Sequence, residues 1–111
     1  MKKFKVTQEF QVFYKLYSTY KQDKTKWVSA WEFVGELYIP ELNVWTLMTY
    51  KTPANGIKIF FTNPGLIERE RITGKSGAKY YQYRFSQNAG ASLIQDPELL
   101  NFYNLIKPKK V

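Results

Sequence analysis

No cysteine and no histidine occur in the 111 residues of this chain. The first absence excludes a disulfide framework and thiolate metal sites. The second removes the commonest general base and the commonest metal ligand together. Acidic residues are few: nine Asp and Glu stand against 17 Lys and Arg, a formal net charge of +8. Arginine is scarce too, 3 against 14 lysines, which favours diffuse attraction to phosphate over rigid bidentate recognition. No apolar run approaches the roughly 20 residues of a membrane-spanning helix. The start, MKKFKV, carries charge with no apolar stretch behind it, unlike a secretory signal. A soluble, cytoplasmic protein with one domain over residues 1–111 is the expectation, without cofactor, metal or membrane partner.

Aromatic residues are plentiful. Nine Tyr, eight Phe and three Trp predict a small core built from a few large rings. The basic residues gather at ends and turns: MKKFK at the start, KQDKTK at 21–26, KSGAK in a turn and KPKK at the end. Placed so, they are free to reach a polyanion.

Apolar residues recur at three- and four-residue steps at Phe10, Phe13, Leu16, Tyr17 and Tyr20, which predicts a helix over 7–20. Lys26-Trp27-Val28 reads as a short extended piece. Ser29 with Glu32 fits a capping box, so a second helix is expected from Ala30 through Trp31, Phe33, Val34 and Leu37, stopped by Pro40. Residues 42–50 fit a strand or a short helix equally. Thr52-Pro53 is a cap followed by a first-turn proline and predicts a helix over 53–62, weakened by Gly56 and ended by Asn63-Pro64-Gly65. Asp96-Pro97-Glu98 opens a last helix over about 96–107 in the same manner, with Leu99, Leu100, Phe102, Tyr103 and Leu105 as its apolar content.

The letters Gly74-Lys75-Ser76 suggest a nucleotide phosphate loop, but that loop needs a glycine at 69, where Arg69 stands. Instead Ile67 to Ile72 and Tyr80 to Phe85 read as two strands joined by a glycine-bearing basic turn, a β-hairpin. Alternation puts Tyr81, Tyr83 and Phe85 on one face, toward a core, and leaves Tyr80 freer.

The capped helix TPANGIKIFFTN, the turn into Gly65-Leu66-Ile67-Glu68-Arg69 and the hairpin ERITGKSGAKYYQYRF together resemble the winged helix-turn-helix family, in particular small members from phages and mobile elements. The resemblance implies an α+β fold: a three-helix core, a β-hairpin wing over about 66–86 and an extra C-terminal helix. One departure is the segment 38–51, longer than the turn of a plain helix-turn-helix. The implied function is binding of double-stranded DNA by a small transcription or replication regulator, with helix 53–62 in the major groove. Base contacts then fall to Thr52, Asn55, Lys58 and Thr62. Phosphate contacts fall to Lys51, Lys75, Ser76, Lys79 and Tyr80. The C-terminal apolar group packs on the domain or pairs with a second subunit as a homodimer.

Two other classes compete. A nuclease needs clustered carboxylates around a divalent cation; Glu68 and Glu70 alternate with Arg69 and Arg71 as on a surface strand, Glu98 with Lys107 is a faint second set, and a non-enzyme is the expectation. An interaction or assembly module needs no nucleic acid, since fold does not fix function.

Overall fold

A computed structural model of the chain describes residues 6–49, 59, 62–87 and 91–107. Helix α1 (Gln8–Gln22) stands where the ring spacing puts it, with Thr7 as N-cap accepting from the Phe10 N–H at 3.1 Å. It is buried on more than one side. Phe10, Phe13 and Tyr17 turn to a ring cluster, while Gln11 and Tyr14 turn to a different neighbour.

After α1 come strand β1 (Val28–Ser29) and a single 3-10 turn (Ala30–Phe33). The Ser29 N–H donates to Glu32 Oε2 at 2.7 Å, so the expected cap forms. The helix it should start does not. Val34 is extended (φ −129°, ψ 134°), and strand β2 (Val34–Ile39) pairs antiparallel with strand β3 (Val44–Thr49), from Val34 opposite Thr49 to Ile39 opposite Val44. The physical reason lies in an ambiguous pattern. Ala30, Phe33, Val34 and Leu37 are spaced as on a helix, but Glu36-Leu37-Tyr38-Ile39 also alternates, with Leu37 and Ile39 turned inward. A β-branched residue followed by a glycine weakens a helix, and pairing with 44–49 selects the strand. Pro40 is therefore a loop residue rather than a helix stop. The loop 40–43 is closed by Asn43 at φ 52°, a left-handed position that Asn tolerates, whose side chain accepts from Tyr38 Oη at 3.0 Å.

Strands β4 (Ile67–Thr73) and β5 (Lys79–Phe85) form the expected hairpin, and β1 joins the far edge of β5 to give the order β1-β5-β4. Helix α2 (Pro97–Ile106) begins at Asp96, whose Oδ1 accepts from the N–H groups of Glu98 and Leu99 at 2.9 and 3.3 Å. Among the described residues there are thus two α-helices and five strands in two antiparallel sheets. This is not the three-helix core of a winged helix, and that expectation is corrected. Of the helix expected over 53–62, residues 53–58, 60 and 61 lie outside the described residues; Ile59 and Thr62 are helical.

The core lies between α1, α2 and the inner face of β5. Phe10 meets Phe102 at 4.1 Å between centroids, Phe13 meets Phe85 at 5.7 Å, and Tyr17 meets Tyr103 at 5.7 Å. Leu99, Phe102 and Ile106 of α2 are buried there, so the apolar face of that helix is used within its own domain. Asn63 is buried and acts as a clasp. Its Oδ1 accepts from the N–H groups of Gln95 (2.5 Å) and Asp96 (3.2 Å), tying the chain before β4 to the start of α2.

Candidate nucleic-acid interface

The β4–β5 register sorts the charges of this hairpin by face. Residues directly opposite share a face, and the pairs are Ile67–Phe85, Glu68–Arg84, Arg69–Tyr83, Glu70–Gln82, Arg71–Tyr81, Ile72–Tyr80 and Thr73–Lys79. Phe85 and Tyr83 are buried in the core, so their face continues outward as Arg69, Arg71 and Lys79, all exposed, with Tyr81. That face of the hairpin carries three cations and no carboxylate. The Glu-Arg-Glu-Arg alternation of 68–71 puts both acids on the opposite face.

The acids are engaged there. Glu68 Oε2 accepts from Arg84 Nε at 2.9 Å, and Glu70 Oε2 accepts from Gln82 Nε2 at 3.4 Å. Arg84 also lies over the Trp27 ring at 4.2 Å and donates from Nη1 to the Thr25 carbonyl at 3.4 Å. This bond ties the exposed loop bearing Lys24 and Lys26 to the base of the sheet. In that loop, hydrogen bonds from Thr25 hold the Asp23 carboxyl below its ordinary range. On the cation face the Arg69 guanidinium sits 4.6 Å over the Tyr81 ring, a cation–π contact that orders it. Arg71, Lys75 and Lys79 make no ion pair among the described residues.

The turn is built for close approach. Gly74 N–H donates to the Ala78 carbonyl at 2.7 Å, and Gly77 N–H to the Gly74 carbonyl at 3.0 Å. Gly77 takes φ 83°, open to glycine at no steric cost. Lys75 and Ser76 stand exposed at the tip.

Of the residues assigned to DNA from sequence, Lys75, Ser76 and Lys79 are exposed on this hairpin. Tyr80 is half-buried on its other face, its ring 4.8 Å from that of Trp31, which is 61% exposed. Thr62 is half-buried with its hydroxyl in local hydrogen bonds to the Ile59 carbonyl (3.5 Å) and from Asn63 Nδ2 (3.0 Å). Lys51, Thr52, Asn55 and Lys58 lie outside the described residues. Arg69 and Arg71 escaped the sequence reading. Their signal is the two-residue alternation itself, which puts both arginines on one face of β4 and both glutamates on the other.

No family model, curated protein or solved structure matches the chain. Among the described residues no group of three or more Asp and Glu gathers to hold a metal ion, and no helix is long and apolar enough to cross a membrane.

A second surface stands on the other hairpin. The inner side chains of β2–β3 face α1. Ile39 and Met48 are buried, Gln11 Nε2 donates to Thr46 Oγ1, and Tyr14 Oη donates to Glu41 Oε1 at 2.5 Å. Burial, then the bond to Glu41, raises the Tyr14 phenol pKa above its ordinary value. The outer side chains Val34, Tyr38, Trp45 and Leu47 are 54%, 38%, 69% and 60% exposed. Between positions 27 and 50 there is no lysine or arginine; all 17 lie elsewhere, while Glu32, Glu36 and Glu41 fall inside that stretch.

Proposed function

We propose that the protein binds double-stranded DNA through the β4–β5 hairpin, with Arg71, Lys75 and Lys79 on phosphates and Arg69 held beside them by Tyr81. The observation that carries this is the sided charge of the hairpin: a ribbon face with three cations and no carboxylate, ending in a glycine turn with a further lysine. A major groove admits a two-stranded β-ribbon as well as a helix, and β-ribbon readers form an established class of DNA-binding geometry. The ribbon takes the groove-entering role that the winged-helix resemblance gave to helix 53–62. Lysine-rich contacts of this kind position the protein on the duplex without reading its sequence.

Fluorescence anisotropy of a labelled random duplex across a salt series tests this. Wild type is expected to lose affinity steeply with salt, and Arg71→Ala/Lys75→Ala/Lys79→Ala to flatten the log–log slope by up to about 2.7, at about 0.9 per lost phosphate contact. A wild-type chain that ignores duplex DNA at low salt sinks the proposal. A triple variant with the wild-type slope moves the contact to another surface.

A further inference from the structure

We infer that the outer face of β2–β3 is a self-association surface, on which two copies of this chain pack sheet against sheet about a two-fold axis. The inference is independent of DNA binding. It begins with exposure. Val34, Tyr38, Trp45 and Leu47 lie on one face of a two-stranded sheet with no third strand and no helix over that face among the described residues. Soluble monomers rarely leave a contiguous patch of such side chains bare unless it binds something.

Charge selects the occupant. A chain at +8 repels its own copies over most of its surface. The 27–50 stretch has no lysine or arginine, so here two copies can meet without bringing cations together. Glu36, on the same face, has no cation in this stretch to pair with, so the contact must leave its carboxylate at the solvated rim.

Geometry makes the face self-complementary. The Tyr38 and Trp45 rings are in contact at 4.9 Å between centroids, 36° apart, and Tyr38 is held by its hydroxyl on Asn43. A rigid ring pair is the usual anchor of an interface and loses little freedom on binding. Beside it is a shallow depression of about 460 Å³ lined by Glu36, Trp45, Thr46 and Leu47. In an isologous contact each copy offers both the anchor and the depression that receives its counterpart. Four main side chains per copy lie at the low end of interface size, so the dimer is a weak, concentration-dependent one.

Sedimentation equilibrium on the full chain, nuclease-treated to remove bridging nucleic acid, is the test. Dimer is expected at protein concentrations on the order of 100 µM, and more of it at high salt, where repulsion between the two positive copies is screened. Association bridged by nucleic acid has the opposite salt dependence. Trp45→Lys is expected to weaken the dimer at least about 30-fold, the scale of a central tryptophan anchor, with an unchanged circular dichroism spectrum because the side chain is exposed. Leu105→Lys, on the exposed side of α2, serves as the control and leaves the dimer intact. Wild type that stays monomeric up to about 500 µM overturns the inference and leaves the face to a partner of other chemistry. So does a dimer broken by Leu105→Lys and not by Trp45→Lys, which would run through α2 instead.

Discussion

The two hairpins are built from strands of similar length, six residues each in β2–β3 and seven each in β4–β5, yet they present opposite chemistry to solvent. The outer face of β2–β3 carries rings, aliphatics and Glu36; the free face of β4–β5 carries Arg69, Arg71 and Lys79. They are also rooted differently. The β4–β5 hairpin enters the core through Tyr83 and Phe85 and gains β1 as a third strand. The β2–β3 hairpin leans on α1 through Ile39 and Met48 and two side-chain hydrogen bonds, to Gln11 and Tyr14. An isolated two-stranded sheet is marginal in water, so this second root decides whether the apolar face keeps its shape. One hairpin is an arm fixed in the core, the other a panel fastened to a helix.

The widest test of that contrast removes one buried side chain from each root. Phe85→Ala takes away contacts to Phe13, Tyr17 and Tyr20 and is expected to cost about 3–5 kcal/mol of global stability, the range for a buried Phe. Ile39→Ala is expected to cost about 2–4 kcal/mol. Its signature in hydrogen exchange is local: amides of β2–β3 lose protection while those of β5 keep theirs. If Ile39→Ala opens both hairpins together, they are one cooperative unit and the contrast between their roots is wrong.

The legible and illegible parts of the sequence divide along the same line. For α1, for α2 with its Asp96-Pro97 start, and for β4–β5, every local signal agrees: ring spacing, caps, alternation and a Gly-bearing turn all point one way. The stretch 30–39 satisfies two patterns at once. Its cap signal at Ser29 and Glu32 is real but supports one 3-10 turn; the strand after Phe33 is settled by pairing with 44–49, a partner that no local window contains. Once 34–39 is read as helix, Pro40 becomes a stop, and the hairpin loop that Asn43 closes is lost. With it goes the exposed face of Val34, Tyr38, Trp45 and Leu47. At the candidate site, Lys75, Ser76 and Lys79 were legible from the turn. Arg69 and Arg71 are not legible in this way, because alternation with glutamate reads as a neutral surface strand until the register separates the two faces.

A finer test addresses the polar fastening of β2–β3. Tyr14 donates to the Glu41 carboxylate from a buried position, and Tyr14→Phe is expected to cost about 1.5–3 kcal/mol at neutral pH, as for other bonds to a charged group. The pH dependence gives a sharper reading. Burial first, then Glu41 through its hydrogen bond and its charge, lifts the folded-state phenol above its ordinary value of 10.0. The folded chain therefore holds that proton more tightly than the unfolded chain. The resulting stabilisation is complete below about pH 10 and is lost as pH rises through the folded-state value. Tyr17 is shifted the same way, by burial and then by the charges of Tyr103 and Glu41, so Phe at 14 removes part of the effect. In urea titrations between about pH 9 and about pH 11.5, wild type should lose stability more steeply than Tyr14→Phe. Equal slopes would mean that Tyr14 does not fasten the hairpin.

The smallest expected effect concerns the tip of the basic arm, where two glycines in one turn have different reasons to be there. Gly77 holds φ 83°, and a left-handed conformation costs an L-residue about 1–2 kcal/mol. Gly74 has no such backbone, and a Cβ added there would meet the Ala78 carbonyl at 3.4 Å and the Tyr80 ring at 3.5 Å, close but tolerable contacts. Gly77→Ala is therefore expected to lower stability by about 1 kcal/mol, and Gly74→Ala to stay within about 0.5 kcal/mol of wild type. The two variants also separate the shape of the turn from its charge. Both keep Lys75 and Lys79, so a drop in DNA affinity for Gly77→Ala alone means that the closed turn presents Lys75 and Ser76 to phosphate. Equal affinities mean that the lysines act as diffuse charge whatever the turn does. In either case self-association through β2–β3 should be unmoved, because the turn belongs to the other hairpin.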